Sequence, residues 1–110
     1  MKTVKANKGT PYEAKRHFHM WGLKKVDRET AASRLTVSIS HFLPNGGAEM
    51  SSSAKERVYY LLSGALTVAG PEEEHLLEEG DLLYIAPGEE RAIKVRGVNP
   101  ATVLVIIVEP

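Results

Sequence analysis

From Arg34 to Leu43 the chain reads RLTVSISHFL. Leu35, Val37 and Ile39 alternate with Thr36, Ser38 and Ser40. A period of two predicts a half-buried strand, with His41 and Leu43 falling on the apolar side by the same count. Pro44-Asn45-Gly46-Gly47 predicts its end, because these residues favour turns. His17 to Val26 mixes aromatic, apolar and polar residues without a helical stripe and reads as a strand. Gly22 inside it marks a bulge or a close approach of backbone. Val58-Tyr59-Tyr60-Leu61-Leu62, a tight Ser63-Gly64 turn and a return run from Ala65 to Val68 predict a β-hairpin.

Further short strands are predicted over Glu72–Leu77, Leu82–Ala86 and Arg91–Arg96, each set off by Gly, Pro or acidic turn residues. The run from Ala101 to Glu109 is almost wholly apolar, which predicts a last strand buried on both faces, in a barrel or a subunit interface. Asp27 to Thr30 reads as a polar turn, and Ala31-Ala32 is too short a run to define a helical turn. About eight or nine short strands with no convincing helix predict an all-β sandwich or barrel. Closing such a sheet removes edges that would otherwise invite aggregation. Residues 1–15 read as a polar N-terminal arm and 16–110 as one domain.

Charge narrows the list of partners. Lys plus Arg and Asp plus Glu number 14 each. No net field recruits nucleic acid or an anionic membrane, and a neutral chain lacks long-range repulsion, which weakly favours self-association. With no cysteine, thiolate metal sites, disulfides and a cysteine nucleophile are excluded. The longest apolar run, Ala101 to Val108, falls well short of the roughly 20 residues of a membrane helix. The N-terminal stretch MKTVKANKGTPYEAK has no apolar run of signal-peptide length. A soluble, cytoplasmic protein is expected.

Two stretches carry a resemblance. Gly46 to Val68 reads GGAEMSSSAKERVYYLLSGALTV, and Gly80 to Arg91 reads GDLLYIAPGEER. The second resembles the cupin superfamily frame of Gly-Asp, an apolar run, Pro-Gly, two residues and a His. The first resembles that family's other motif, which places His-x-His upstream of a Glu lying seven positions before a Gly. The resemblance spans about residues 34 to 109 and implies a cupin-like double-stranded β-helix, a jelly-roll barrel. It implies a homodimer as well, with the apolar last strand and Trp21 as candidate contacts. It also assigns metal ligands, and here the sequence departs from it. Arg91 stands at the His position, Val95 at a frequent Asn position, and Arg57 at the Glu position, counted back from Gly64. Residues 50–54, Met50 to Ala54, contain no histidine. A guanidinium has no lone pair to give a cation, so no metal is expected at the usual positions and no cofactor is assigned.

Three functions remain open. In the first, Arg57 and Arg91 clamp a small anionic, carboxylate-type metabolite in the barrel mouth, since guanidinium pairs bidentately with planar anions. Tyr59 shares a face with Arg57 by strand alternation, and Ser52 and Met50 come from the adjoining loop. In the second, His17-x-His19 and His41 bind a divalent transition metal at a relocated site, giving a dioxygenase- or isomerase-type enzyme. In the third, the arginines pair with Glu49, Glu56, Glu89 or Glu90 and plug the barrel, leaving a structural, dimer-forming protein. Gly46-Gly47 lacks the residues of a phosphate loop, and Ser51 to Ser53 lacks the frame of a nucleophile elbow. No catalytic residue is assigned. The metal-free binding role is preferred.

Overall fold

The computed structural model describes residues 1–30 and 34–109, so the Ala31-Ala32 run lies outside the described residues. Nine strands follow in chain order: β1 (Thr10–Tyr12), β2 (His17–Val26), β3 (Leu35–Ser51), β4 (Glu56–Ser63), β5 (Leu66–Ala69), β6 (Glu74–Leu77), β7 (Leu82–Ile85), β8 (Arg91–Val95) and β9 (Ala101–Val108). All pairings are antiparallel, in the order β6-β5-β8-β3-β9-β4-β7, with β2 on β3 and β1 on β2. The result is the nearly closed jelly-roll barrel that the resemblance implies. Among the described residues no helix is long and apolar enough to cross a membrane.

The long strand β3 joins the two sides of the barrel. Its first part, Leu35 to Phe42, lies between β2 and β9, and its last part, Gly47 to Ser51, pairs with β8. Pro44-Asn45-Gly46-Gly47 therefore does not end the strand but bends it. Asn45 takes a positive φ of 68°, and opposite it His19 takes 51° where the β2 register shifts between Phe18 and Met20. Turn-forming residues here change the strand's course and partner without ending it.

The predicted hairpin is also corrected. Strand β4 pairs with β7 and β9, whereas β5 pairs with β6 and β8. Ser63-Gly64 carries the chain from one side of the barrel to the other. Gly64 holds φ at +84°, and a Cβ there would lie 2.5 Å from the Pro100 carbonyl oxygen. The bulky β-branched and aromatic run predicts a strand but cannot choose its neighbour.

Part of the expected arm is a strand. Residues Thr10 to Tyr12 pair with Lys24 to Gly22. Gly22 makes this possible, because a Cβ on it would run into the Tyr12 ring. The close backbone approach expected at Gly22 is thus the seat of Tyr12.

The faces of β3 are inverted relative to expectation. Thr36, Ser38, Ser40 and Phe42 point into the barrel, with Ser38 and Ser40 each 3% exposed. Leu35, Val37, Ile39, His41 and Leu43 point outward. Alternation decides which residues share a face, not which face is inside. Inward from β4 and β9 come Arg57, Tyr59, Leu61, Val103, Val105 and Ile107. Leu61, Leu66 and Val103 are fully buried, and Leu61, Val68, Leu77, Val95 and Ala101 belong to the dry part of the interior.

The corner role of Gly64 is testable. Gly64→Ala and Gly88→Ala both place a side chain at a φ near +85°, but only Gly64 meets neighbouring atoms there. Both substitutions are expected to cost about 1–2 kcal/mol of left-handed strain. Gly64→Ala is expected to lose about 1–3 kcal/mol more from overpacking against Pro100 and Ala101. Urea unfolding with an unchanged m-value measures the difference, and equal losses would remove the corner from the argument.

Candidate functional site

Between the dry part of the barrel and its rim lies a cavity of about 110 Å³. Its wall follows from the register. On β3, β9 and β4 the inward residues form three rows: Thr36–Ile107–Arg57, Ser38–Val105–Tyr59 and Ser40–Val103–Leu61. In the first two rows polar groups stand on the two flanking strands and an apolar group on β9 between them; in the third, Leu61 lies buried behind the cavity wall. His17, Lys24 and Tyr12 complete the lining from β2 and β1. None of the lining residues is an Asp or a Glu.

Arg57 is the cation on this wall. Its Nε is buried and has no hydrogen-bond partner. Burial pulls the guanidinium below its ordinary pKa. The Tyr59 hydroxyl opposes that shift and the charge of Arg91 adds to it. Among the described residues, no carboxylate forms an ion pair with Arg57 or with Arg91. The glutamates near them in sequence are engaged elsewhere or exposed. Glu56 accepts from the Tyr84 hydroxyl at 2.7 Å, and Glu89 accepts from the Ala86 amide at 2.7 Å. Glu49 and Glu90 are exposed.

Arg91 is placed differently from the expected clamp. It is 9% exposed and does not line the cavity. Its Nε–H donates to the Tyr59 hydroxyl at 3.4 Å and its Nη1–H to the Ser51 carbonyl at 3.0 Å. It borders a smaller cleft of about 40 Å³ with Tyr84, Glu89 and Glu90. One guanidinium thus enters the cavity, and the second stands behind Tyr59, fixing its hydroxyl. Tyr59 is buried on the cavity wall, as strand alternation requires. Ser52 and Met50 are exposed and do not line the cavity. They lie where β3 ends and the loop to β4 turns outward, so only the Ser51 backbone reaches the site.

The three histidines are not brought together. His17 lines the cavity and stacks on Phe42, ring centroids 6.1 Å apart. Its Nδ1–H donates to the Lys15 carbonyl at 2.7 Å, which leaves Nε2 as the bare nitrogen of the neutral ring. Burial holds its pKa below 6.5; the Lys15 carbonyl opposes this, and the charges of Arg91 and Arg57 reinforce it. The bulge at His19 breaks the two-residue repeat that would have aligned it with His17. His41 stacks on Trp21 on the outer face, 4.2 Å between centroids, and its Nδ1 meets the Thr102 hydroxyl at 3.1 Å. Among the described residues no group of three or more His, Cys, Asp or Glu is placed to hold a metal ion. A guanidinium, hydroxyls, an ammonium and one imidazole do not form a ligand set for a divalent cation.

Tyr12, Lys24, Thr36, Ser38 and Ser40 were not candidates on sequence grounds. The signal that marks three of them is the hydroxyl at every second position of β3. Tyr12 has no such signal, since a three-residue strand shows no period.

The comparisons agree with this architecture. The polyketide cyclase RemF of Streptomyces resistomycificus superposes with a TM-score of 0.87 at 19% identity, covering 98% of this chain and 79% of that one. A predicted oxalate decarboxylase of Thermotoga maritima gives a TM-score of 0.85 at 15% identity, over 99% and 100%. At such identities the likeness is one of fold. In sequence, the chain is 32% identical over 111 residues to Beta-D-galactosidase Rv1717 of Mycobacterium tuberculosis, covering 100% of this chain and 96% of that one. Residues 38–107, from the hydroxyl row of β3 to the end of β9, match the family described as Cupin domain. The chain belongs to the cupin family.

Proposed function

We propose that this cupin binds a small carboxylate-bearing metabolite in the barrel cavity, without a metal, and that Arg57 anchors the carboxylate. The observation that carries the reading is a guanidinium on the cavity wall that, among the described residues, pairs with no carboxylate and has a buried Nε without a partner. A charge in such a position gains most from an anion that can take two of its N–H groups at once. Lys24 and His17 add positive or protonatable groups to the same wall. Among the described residues, none of the ion pairs that the plugged barrel of the third reading calls for is formed. A second reading has the 32% identical relative in its favour: a glycoside as substrate. Hydroxyls on β3 suit a sugar, but hydrolysis commonly uses two carboxylates, and the cavity lining offers none.

The same protein is proposed to act as a homodimer through the outer face of the sheet. Leu23, Ile39, Leu104, Tyr60 and Leu82 form one outward row across five strands, and Val37, Ile106, Val58 and Tyr84 the next. Neither row holds a charged side chain. An uncharged face with exposed aromatic groups on a chain of zero net charge fits a second copy related by a two-fold axis.

Three outcomes are expected. Short carboxylates such as butyrate should raise the melting temperature of the protein, and Arg57→Gln should weaken their binding about ten- to a hundredfold by calorimetry, the worth of a charge-assisted hydrogen bond. No stabilisation by any carboxylate, together with turnover of a chromogenic β-D-galactoside, would replace this reading with the glycoside one. For the dimer, Tyr60→Glu should shift the sedimenting species from two chains to one; a monomeric wild-type protein sinks the proposal.

The third outcome concerns pH. The folded pKa of His17 lies below 6.5, so the unfolded chain takes up its proton first. Its contribution to stability is complete above about 6.5 and is lost as pH falls through the folded value. The urea midpoint should therefore drop between pH 7.5 and 5.5 by less in His17→Gln than in the wild type. His41, lowered by burial too, adds the same drop to both. A carboxylate beside His17 favours its protonated form, so butyrate affinity should rise over that window only when His17 is present. Coinciding affinity profiles would place His17 outside the site.

A further inference from the structure

We infer that the occupant is a short hydroxy acid, and that Tyr12, Ser38 and Ser40 select for its hydroxyl group. This rests on the carboxylate reading above and names the other end of the ligand. The observation is a second polar centre facing Arg57 across the cavity. The Tyr12 hydroxyl donates to Ser38 Oγ at 3.2 Å and shares a hydrogen bond with Ser40 Oγ at 2.5 Å. With the Tyr12 proton given to Ser38, the Ser40 proton goes to Tyr12. The chain then runs from Ser40 to Tyr12 to Ser38 and ends on the Ser38 proton.

Three hydroxyls carry three protons and six lone pairs. Two internal hydrogen bonds use two of each. One donor and four acceptor sites remain, in a place where Ser38 and Ser40 are almost wholly buried. A buried donor or acceptor left unmade is costly. The group that answers one free proton and free lone pairs together is another hydroxyl. A carboxylate would meet only the proton, and an apolar group neither.

Spacing supports a single ligand bridging both centres. Ser38 and Tyr59 share a row on β3 and β4, with Val105 of β9 between them, and Arg57 lies one row further along β4. Neighbouring strands stand about 4.8 Å apart, so the two flanking backbones are separated by roughly 10 Å. Side chains reach in from both, over an apolar floor of Val105 and Ile107. A cavity of about 110 Å³ is of the same order as one that accommodates benzene and suits a small guest of about six or seven non-hydrogen atoms. A carboxylate, a short carbon link and one hydroxyl fill that description. Tyr12 enters from β1 because Gly22 leaves it room, so the N-terminal strand contributes to specificity rather than only covering the barrel.

The experiment compares butyrate with 3-hydroxybutyrate by calorimetry on the full chain. In the wild type the hydroxy acid is expected to bind at least tenfold more tightly. Tyr12→Phe keeps the ring and should reduce that preference to about threefold or less, as should Ser38→Ala. Arg57→Gln should weaken both acids while leaving their ratio unchanged. Equal affinities in the wild type, with both acids still dependent on Arg57, would overturn the hydroxyl assignment and leave the carboxylate anchor standing. Binding of neither acid would remove the anchor and this inference with it. A preference unchanged in both Tyr12→Phe and Ser38→Ala would also overturn it, since the hydroxyl would then be read elsewhere.

Discussion

A guanidinium inside a β-barrel, paired with no carboxylate among the described residues, is the constraint around which this molecule is arranged. Removing an ion from water costs several kcal/mol unless hydrogen bonds or an opposite charge offset it. Arg57 meets only part of that cost from protein groups, as its unpartnered Nε and lowered pKa attest. The surroundings are built accordingly. Tyr59 is held against it by Arg91, whose second hydrogen bond goes to a backbone carbonyl and not to an acid. The interior around Arg57 is a cavity rather than close-packed side chains, so its charge stays accessible to a small polar guest.

That cavity explains the reversal along β3. A barrel with a dry centre would turn Leu35, Val37 and Ile39 inward. Here the centre is divided. Leu61, Val68 and Val95 are dry, while Phe42, Leu66 and Val103 share the cavity wall with Thr36, Ser38, Ser40 and Arg57. The apolar set is left to the outer surface, where the register aligns it with apolar residues of β9 and β4. Polar residues inside and apolar residues outside are thus one choice: alternation along a strand that turns its hydroxyls to a cavity turns its apolar side chains to the outer face.

What the sequence made legible was local. Period-two alternation, Gly-Pro and Pro-Gly punctuation and the Gly80-Asp81 frame located the strands and the family, because each depends on a few adjacent residues. Partners and orientation depend on contacts between distant residues. Ser63-Gly64 reads the same whether the chain folds back on itself or crosses to the other side of the barrel. His17 and His19 obey the spacing of a chelating pair until a bulge, set by the bend in β3, separates them. Arg57 and Arg91 were both found through the family frame, yet only one faces the cavity, since a frame fixes positions along strands and not the direction of long side chains. Tyr12 was hidden because its place depends on the missing Cβ of a residue ten positions later.

Net charge was the least informative quantity. A total of zero excludes a global field, and it hides a separation of signs. The cavity wall carries Arg57, Lys24 and His17 and no acid. The glutamates of residues 72–74, 78 and 79 lie exposed in and around the turns that flank β6. Exposed carboxylates are screened by solvent within about 8–10 Å at ordinary ionic strength, whereas a cation in a partly dry cavity is screened far less. The field inside the cavity is therefore positive although the chain is neutral. The cupin fold supplies only the enclosure, and on one enclosure many chemistries can be built. In this chain the enclosure carries a guanidinium, an ammonium and an imidazole on its wall, and the function proposed for it rests on the sign of that charge.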